Sequence, residues 1–181
     1  SVSYAERAPG ADELFANGPH IATQVFEVGD SSLQEESNVH VEVGGRMAFD
    51  RLSGSATIFT DQFNDFIYQW NTGLEEDGLP VMFWQQQDAQ FVGAEAELRY
   101  DFEPNRSGHW QLFTFGDIVE GELDDNNDAP LQPPRRLALG VDWDLDNFAA
   151  NVVWIHAYAQ NRLAEMETRT PGYDLLNAEV V

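Results

Sequence analysis

Phe91–Phe102 reads FVGAEAELRYDF. Counted in twos, Val92, Ala94, Ala96, Leu98, Tyr100 and Phe102 fall on one side, and Gly93, Glu95, Glu97, Arg99 and Asp101 on the other. Successive side chains of a β-strand point to opposite faces of a sheet, so this period of two marks a strand lying between two unlike environments. Val39–Phe49 has the same form, with Val39, Val41, Val43, Met47 and Phe49 opposite His40, Glu42, Gly44 and Arg46. Leu137–Leu145 sets Leu137, Leu139, Val141, Trp143 and Leu145 against Ala138, Gly140, Asp142 and Asp144. Leu175–Val181 sets Leu176, Ala178 and Val180 against Asn177 and Glu179.

Between these segments lie three aromatic-rich runs, Ser55–Trp70, Trp110–Leu123 and Phe148–Leu163, and a stub at Ser1–Arg7 precedes them. The chain is therefore predicted to be all-β, with about seven or eight strands. Short polar links fall at Asp50–Gly54, Pro104–Gly108 and Asp144–Asn147, and longer ones at Ala8–Ser37, Asn71–Leu79, Asp124–Pro133 and Glu165–Gly172. Short turns at one end and long loops at the other describe an antiparallel meander of the outer-membrane barrel type. A soluble carbohydrate-binding β-sandwich would alternate too, but Leu52–Trp70 and Pro80–Phe102 far exceed the about 5–6 residues usual in soluble strands. Aromatics near strand ends (Phe63, Phe66, Tyr68, Trp70, Phe83, Trp84, Trp110) fit interfacial girdles.

Composition narrows the function classes. Nine Lys and Arg face thirty-two Asp and Glu in 181 residues, a formal charge of -23. Such a surface repels phosphate backbones and excludes nucleic acid as a partner, while it attracts cations. The absence of Cys removes disulfides, thiolate metal sites and thiol catalysis, and suits an oxidising envelope compartment. No run approaches the ~18 consecutive apolar residues of a spanning helix, which excludes a helical membrane protein and leaves a barrel open.

Seven stretches occur here in the order of their counterparts in TonB-dependent outer-membrane receptors: YAERAP, ELFANGPHIAT, FEVGDSSLQEES, DGLPV, QQQDAQFVGAEAEL, LQPPRRLALGVDW and TPGYDLLNAEV. The chain resembles that family over essentially its whole length, most of all the zinc- and haem-uptake branch. The resemblance implies a receptor in the bacterial outer membrane: a barrel of twenty-two strands, closed by an N-terminal plug and driven by the TonB complex. No plug, TonB box or final strand is recognisable, so residues 1–181 are expected to form a C-terminal portion of the barrel, in contact with outer-membrane lipid. The implied activity is uptake of a metal ion or metal chelate, zinc or haem first, with a siderophore or other organic nutrient as the alternative. No cofactor is required, since Zn²⁺ or haem would be cargo.

The stretch Ala8–Thr23, APGADELFANGPHIAT, is then an extracellular loop folded over the barrel mouth. Pro9, Gly18 and Pro19 are expected to set its turns, and Leu14, Phe15 and Ile21 to anchor it. Its His20 is the leading metal ligand, because a neutral imidazole suits Zn²⁺ and can also bind haem iron. Asp12, Glu13, Glu27 and Asp30 could add oxygen ligands or orient the ring. His40, His109 and His156 sit at no ligand spacing and are expected to be structural or lumen-facing.

Asp124, Asn126 and Asp128 follow a calcium-loop spacing, but Ala129 and Arg135 stand where that loop needs Gly and Glu, so an acidic surface loop is expected. Glu95, Glu97 and Arg99 could line a polar lumen, and Arg135 and Arg136 after Pro133–Pro134 could pair with acids. With no nucleophile motif, phosphate loop or triad, the chain is not expected to be an enzyme.

Overall fold

The computed structural model describes residues 1–125, 127–164 and 167–181. Among them the alternating segments form strands, in chain order β1 (Val2–Arg7), a short helix α1 (Ala11–Phe15), β2 (Asn17–His20), β3 (Val25–Val28), β4 (Glu36–Phe49) and β5 (Leu52–Glu76). There follow β6 (Leu79–Asp101), β7 (His109–Leu123), β8 (Arg136–Leu145), β9 (Phe148–Ala157) and β10 (Tyr173–Val180). Eight strands pair in the order β1-β4-β5-β6-β7-β8-β9-β10, every neighbour antiparallel. They make one continuous sheet, an open stretch of barrel wall, not the two packed layers of a soluble sandwich.

Register explains the alternation. One row of partners runs Val43–Ile58–Ala94–Ile118 across β4 to β7, and another runs Leu112–Val141–Val152–Ala178 across β7 to β10. These rows form an apolar band open to the surroundings, with Val43 68% and Ile58 64% exposed. A one-residue slip would turn the whole set to the other face, so the pattern specifies the register. The opposite face is polar, and on it Phe59 lies across Gly93, Phe91 across Gly121 and Phe113 across Gly140. A Cβ on any of these glycines would enter the ring, so their bare backbone is what lets the aromatics lie flat.

The short links lie together at one end, as expected. The predicted long link at Asn71–Leu79 is instead a hairpin, because Asp77 (φ 53°) and Gly78 (φ 77°) make a two-residue turn with both residues left-handed. That geometry matches the twist of the flanking strands, so β5 and β6 continue past the sheet as an arm. β9 stops at Ala157, short of the predicted Leu163.

Bulges break the register of β5 between Phe63 and Phe66 and between Asn71 and Glu75. The first sets Asn64 and Asp65, the latter at φ 56°, against the single Asp88, and this one extra residue returns Phe66 to the face of Phe63. Phe63, Phe66 and Phe91 thereby pack on a small core of Tyr68, Ala89, Leu123 and Ala129. These rings fill the interior of the long-loop end and do not form the predicted girdle. At the short-turn end Trp110 does pair with Trp143 on the apolar face.

The first long link is ordered by a hairpin of β2 on β3, and β3 then pairs in parallel with Val81–Phe83 of β6. β7 pairs with β6 only from Ala89 onward, so β3 takes the edge that β7 leaves free. Of the expected anchors Leu14 is half-buried, whereas Phe15 (71%) and Ile21 (77%) are exposed, and Phe26 and Leu33 are buried instead. Pro19 belongs to β2 and sets no turn; it stands opposite Phe26. Asn126, the centre of the calcium-like spacing, and Glu165, the start of the last long link, lie outside the described residues.

Candidate functional site

Beneath the hairpin of the first loop lies a cavity of about 800 Å³, within the range of small-molecule sites. Its walls come from four parts of the chain: the first loop, the β5–β6 arm, the loop after β7 and the loop after β9. The arm supplies Phe66, Tyr68 and Trp70 from one of its faces and Trp84, which stands opposite Gln69, from the other. Tyr68 is fixed there by its hydroxyl, which donates to Gln87 (3.0 Å) and accepts from Gln85 (2.6 Å).

Three of the five predicted site residues, Glu13, His20 and Glu27, line this cavity. β2 and β3 place His20 directly opposite Val25, which brings its Nδ1 to 2.9 Å from a Glu27 carboxylate oxygen and 2.9 Å from the Thr23 hydroxyl. With the Nδ1 proton directed to the carboxylate, the Nε2 lone pair is free to act as a ligand. The ring is half exposed and Glu27 nearly enclosed, so the carboxylate orients the imidazole from below.

Glu13 is occupied differently. It accepts two hydrogen bonds from Arg7, both 2.9 Å, and one from the Gly10 N–H at 2.6 Å, so it ties the loop to β1 and closes the start of α1. Asp12 and Asp30 lie outside the cavity lining. Asp30 accepts from the Ser32 hydroxyl (2.6 Å) and the Ser32 N–H (2.8 Å), and these bonds hold its carboxyl below the usual carboxylate range. Among the described residues no group of three or more His, Asp or Glu is arranged to hold a metal ion.

Sequence reasoning did not foresee the far wall, where Asp125, Asp128 and Glu167 join the lining. Arg162 reaches Asp128 (3.0 Å), Glu122 (2.7 Å) and Glu120 (2.5 Å), tying the last loop to β7 and the loop after it. Glu167 accepts from the backbone of Leu131 (2.7 Å) and Ala164 (2.9 Å). The acidic run LDDNNDAP was visible, but its approach to His20 depends on loops far apart in sequence.

The other candidates fall as follows. His40 meets Asp61 (2.9 Å) and His109 meets Asp101 (3.4 Å), both on the polar face. His156 stands opposite Leu137, on the apolar face instead of the lumen, beside Trp154 and 2.9 Å from Asp174. Glu97 and Arg99 lie 3.8 Å apart on the polar face. Arg136 pairs with Asp117 at 2.9 Å, whereas Arg135 sits 4.5 Å over the Tyr158 ring.

A family model described as TonB dependent receptor-like, beta-barrel, matches residues 1–180. Among solved structures, the chain is similar to the copper transporter OprC, with a TM-score of 0.82 and 20% identity over 99% of this chain and 28% of that one. It is also similar to the FrpB iron transporter from Neisseria meningitidis, with a TM-score of 0.63 and 13% identity over 98% of this chain and 27% of that one. For the ferric yersiniabactin uptake receptor FyuA from Yersinia pestis the TM-score is 0.59 and the identity 16%, over 81% of this chain and 22% of that one. At these identities the likeness is one of fold, and the chain spans about a quarter of the length of these proteins.

Proposed function

The chain belongs to the TonB-dependent receptor-like β-barrel family, and from that membership we propose that residues 1–181 are the wall and part of the mouth of an uptake receptor for a metal ion or metal complex, with zinc or haem as cargo. Members of the family are outer-membrane β-barrels of receptors and transporters, not enzymes. The apolar band through Val43, Ile58, Ala94 and Ile118 faces the hydrocarbon in this reading, and the polar face looks into the lumen. A plug and further strands elsewhere in the parent receptor close the barrel, and the TonB complex acts through that plug.

The observation that carries the reading is the His20–Glu27 pair at the cavity, with a half-exposed imidazole held through Nδ1 by a nearly enclosed carboxylate. A carboxylate-oriented imidazole is a good ligand for Zn²⁺ and equally for haem iron. The size and aromatic wall of the cavity favour a second reading, in which the cargo is a siderophore or other organic chelate.

The test is equilibrium Zn²⁺ binding to the full-length parent receptor in detergent, beside His20→Ala, with haem as competitor. Loss of a ligand or its support is expected to weaken zinc about 10–100-fold. If neither zinc nor haem responds to His20→Ala, the metal-ligand role fails and the organic-chelate reading takes its place.

A further inference from the structure

We infer that the apolar face carries a site for the phosphate headgroup of an anionic membrane lipid, built on Arg135, Tyr158 and His156 at the long-loop end of the band. The inference rests on the reading that this band lies in the hydrocarbon, and it specifies one lipid contact that an apolar band alone does not. Trp154, His156 and Tyr158 form a ladder along one side of β9 and its continuation: the ring centroids of Trp154 and His156 are 5.9 Å apart, and those of His156 and Tyr158 4.5 Å. The Arg135 guanidinium caps the ladder 4.5 Å over the Tyr158 ring, and the Tyr158 N–H donates to the Arg135 carbonyl at 3.0 Å, which ties the two residues together. His156 stands opposite Leu137, and Trp154 opposite Leu139 and Leu176, so the ladder is on the apolar face.

Strand geometry sets its height. Trp143, which packs on Trp110 at the short-turn end, stands opposite Ala150. At about 3.3 Å per residue the chain runs about 26 Å from Ala150 to Tyr158, or about 20 Å along the barrel axis at a tilt of about 40°. An apolar band is about 25 Å tall, so Tyr158 and Arg135 reach its other edge, where hydrocarbon meets headgroups. Charge then selects the headgroup. Arg7, Arg51, Arg99, Arg136 and Arg162 each have a carboxylate within reach, whereas Arg135 is exposed and has none among the described residues. Asp174, the acid of the ladder, is already engaged by the Trp154 indole N–H (3.0 Å) and the His156 Nδ1 (2.9 Å). A planar fork of N–H donors with one face laid on a ring presents its edge to phosphate oxygens. A chain of formal charge -23 repels anions in general, so an unpaired arginine at the interface marks where an anionic headgroup can approach. Free phosphate would use Arg135 alone, whereas a lipid also lays its acyl chains on the exposed Leu137, Leu139 and Leu176.

The experiment follows lipid retention by the delipidated full-length parent receptor in detergent, read by native mass spectrometry, with phosphatidylglycerol, phosphatidylcholine and inorganic phosphate as probes. Phosphatidylglycerol is expected to bind more tightly than phosphatidylcholine, and millimolar inorganic phosphate to leave it in place. Arg135→Gln is expected to weaken phosphatidylglycerol about fivefold, and Tyr158→Leu, which removes the ring under the guanidinium, about two- to fivefold. Arg136→Gln removes the same charge from the polar face, where it pairs with Asp117, and is expected to change neither lipid. Equal phosphatidylglycerol binding by Arg135→Gln and wild type, or an equal loss in Arg136→Gln, overturns the site. Displacement of the lipid by inorganic phosphate overturns a lipid as its occupant. Equal retention of both lipids by wild type keeps the band in the hydrocarbon but removes the headgroup site, whereas retention of neither overturns both. Zinc binding is expected to be the same in Arg135→Gln as in wild type, so the lipid site and the metal-ligand role of His20 stand or fall separately.

Discussion

Gly29 is the position where one added methyl group tests the packing of the first loop. A Cβ there would stand 2.6 Å from the Phe15 nitrogen, 2.7 Å from the Leu14 carbonyl carbon and 2.8 Å from the Ala16 nitrogen. All three are backbone atoms, so no rotamer change relieves the clash, and the end of β3 must move away from α1. That movement stretches two hydrogen bonds, Gly29 N–H to the Ala16 carbonyl (2.8 Å) and Asp30 N–H to the Glu13 carbonyl (2.9 Å). At about 1 kcal/mol for each of the two bonds, together with about 1–3 kcal/mol for overpacking, Gly29→Ala should destabilise the closed loop by roughly 3–5 kcal/mol. With tenfold for each ~1.4 kcal/mol, loop opening rises about 100- to 4000-fold. Hydrogen exchange of the peptides covering residues 8–35, measured on the full-length parent receptor, reads that rise directly. Gly18→Ala is the control, since nothing lies within 4 Å of its added methyl group. Equal, slow exchange in wild type, Gly29→Ala and Gly18→Ala would mean that α1 and β3 are not packed as described.

Three further outcomes are expected. Gly140→Ala should expel the Phe113 ring from its seat and lower the thermal stability of the barrel by about 1–3 kcal/mol, read from the heat at which the folded band is lost on a denaturing gel; an unchanged transition would refute the contact. Arg162→Ala should free Glu120, Glu122 and Asp128 and speed proteolysis within residues 158–172; each exposed pair contributes about 0.2–1 kcal/mol, so high salt should narrow the difference from wild type, and a salt-independent difference would point to lost packing instead. Asp30 has a folded-state pKa lowered by Ser32, so its contribution is present above the unfolded value and is lost as pH falls through the folded one. Exchange of the Asp30–Ser32 turn should therefore rise only in acid, and Ser32→Ala should move that rise to higher pH.

The wall of this barrel was legible in the sequence, and its mouth was not. Alternation in Phe91–Phe102 and Val39–Phe49 follows from the geometry of an extended chain, so it reports strand, facing and register without reference to distant residues. Even the β5–β6 arm was announced by Asp77-Gly78, a turn signal that the loop reading of Asn71–Leu79 passed over. The prediction that His20 is the notable residue of the first loop rested on ligand chemistry, and residue type alone supplied it. Its surroundings were decided by tertiary structure. β3 reaches His20's neighbourhood to β6 by a parallel pairing across more than fifty residues of chain, and the acids opposite come from loops after β7 and β9. Phe66 and Tyr68, which read as part of a membrane girdle, turned inward because the bulge at Asn64–Asp65 reversed the facing of β5 beyond it. Alternation is a local property of the backbone; a cavity is a meeting of loops, and only the pairing order of the strands says which loops meet.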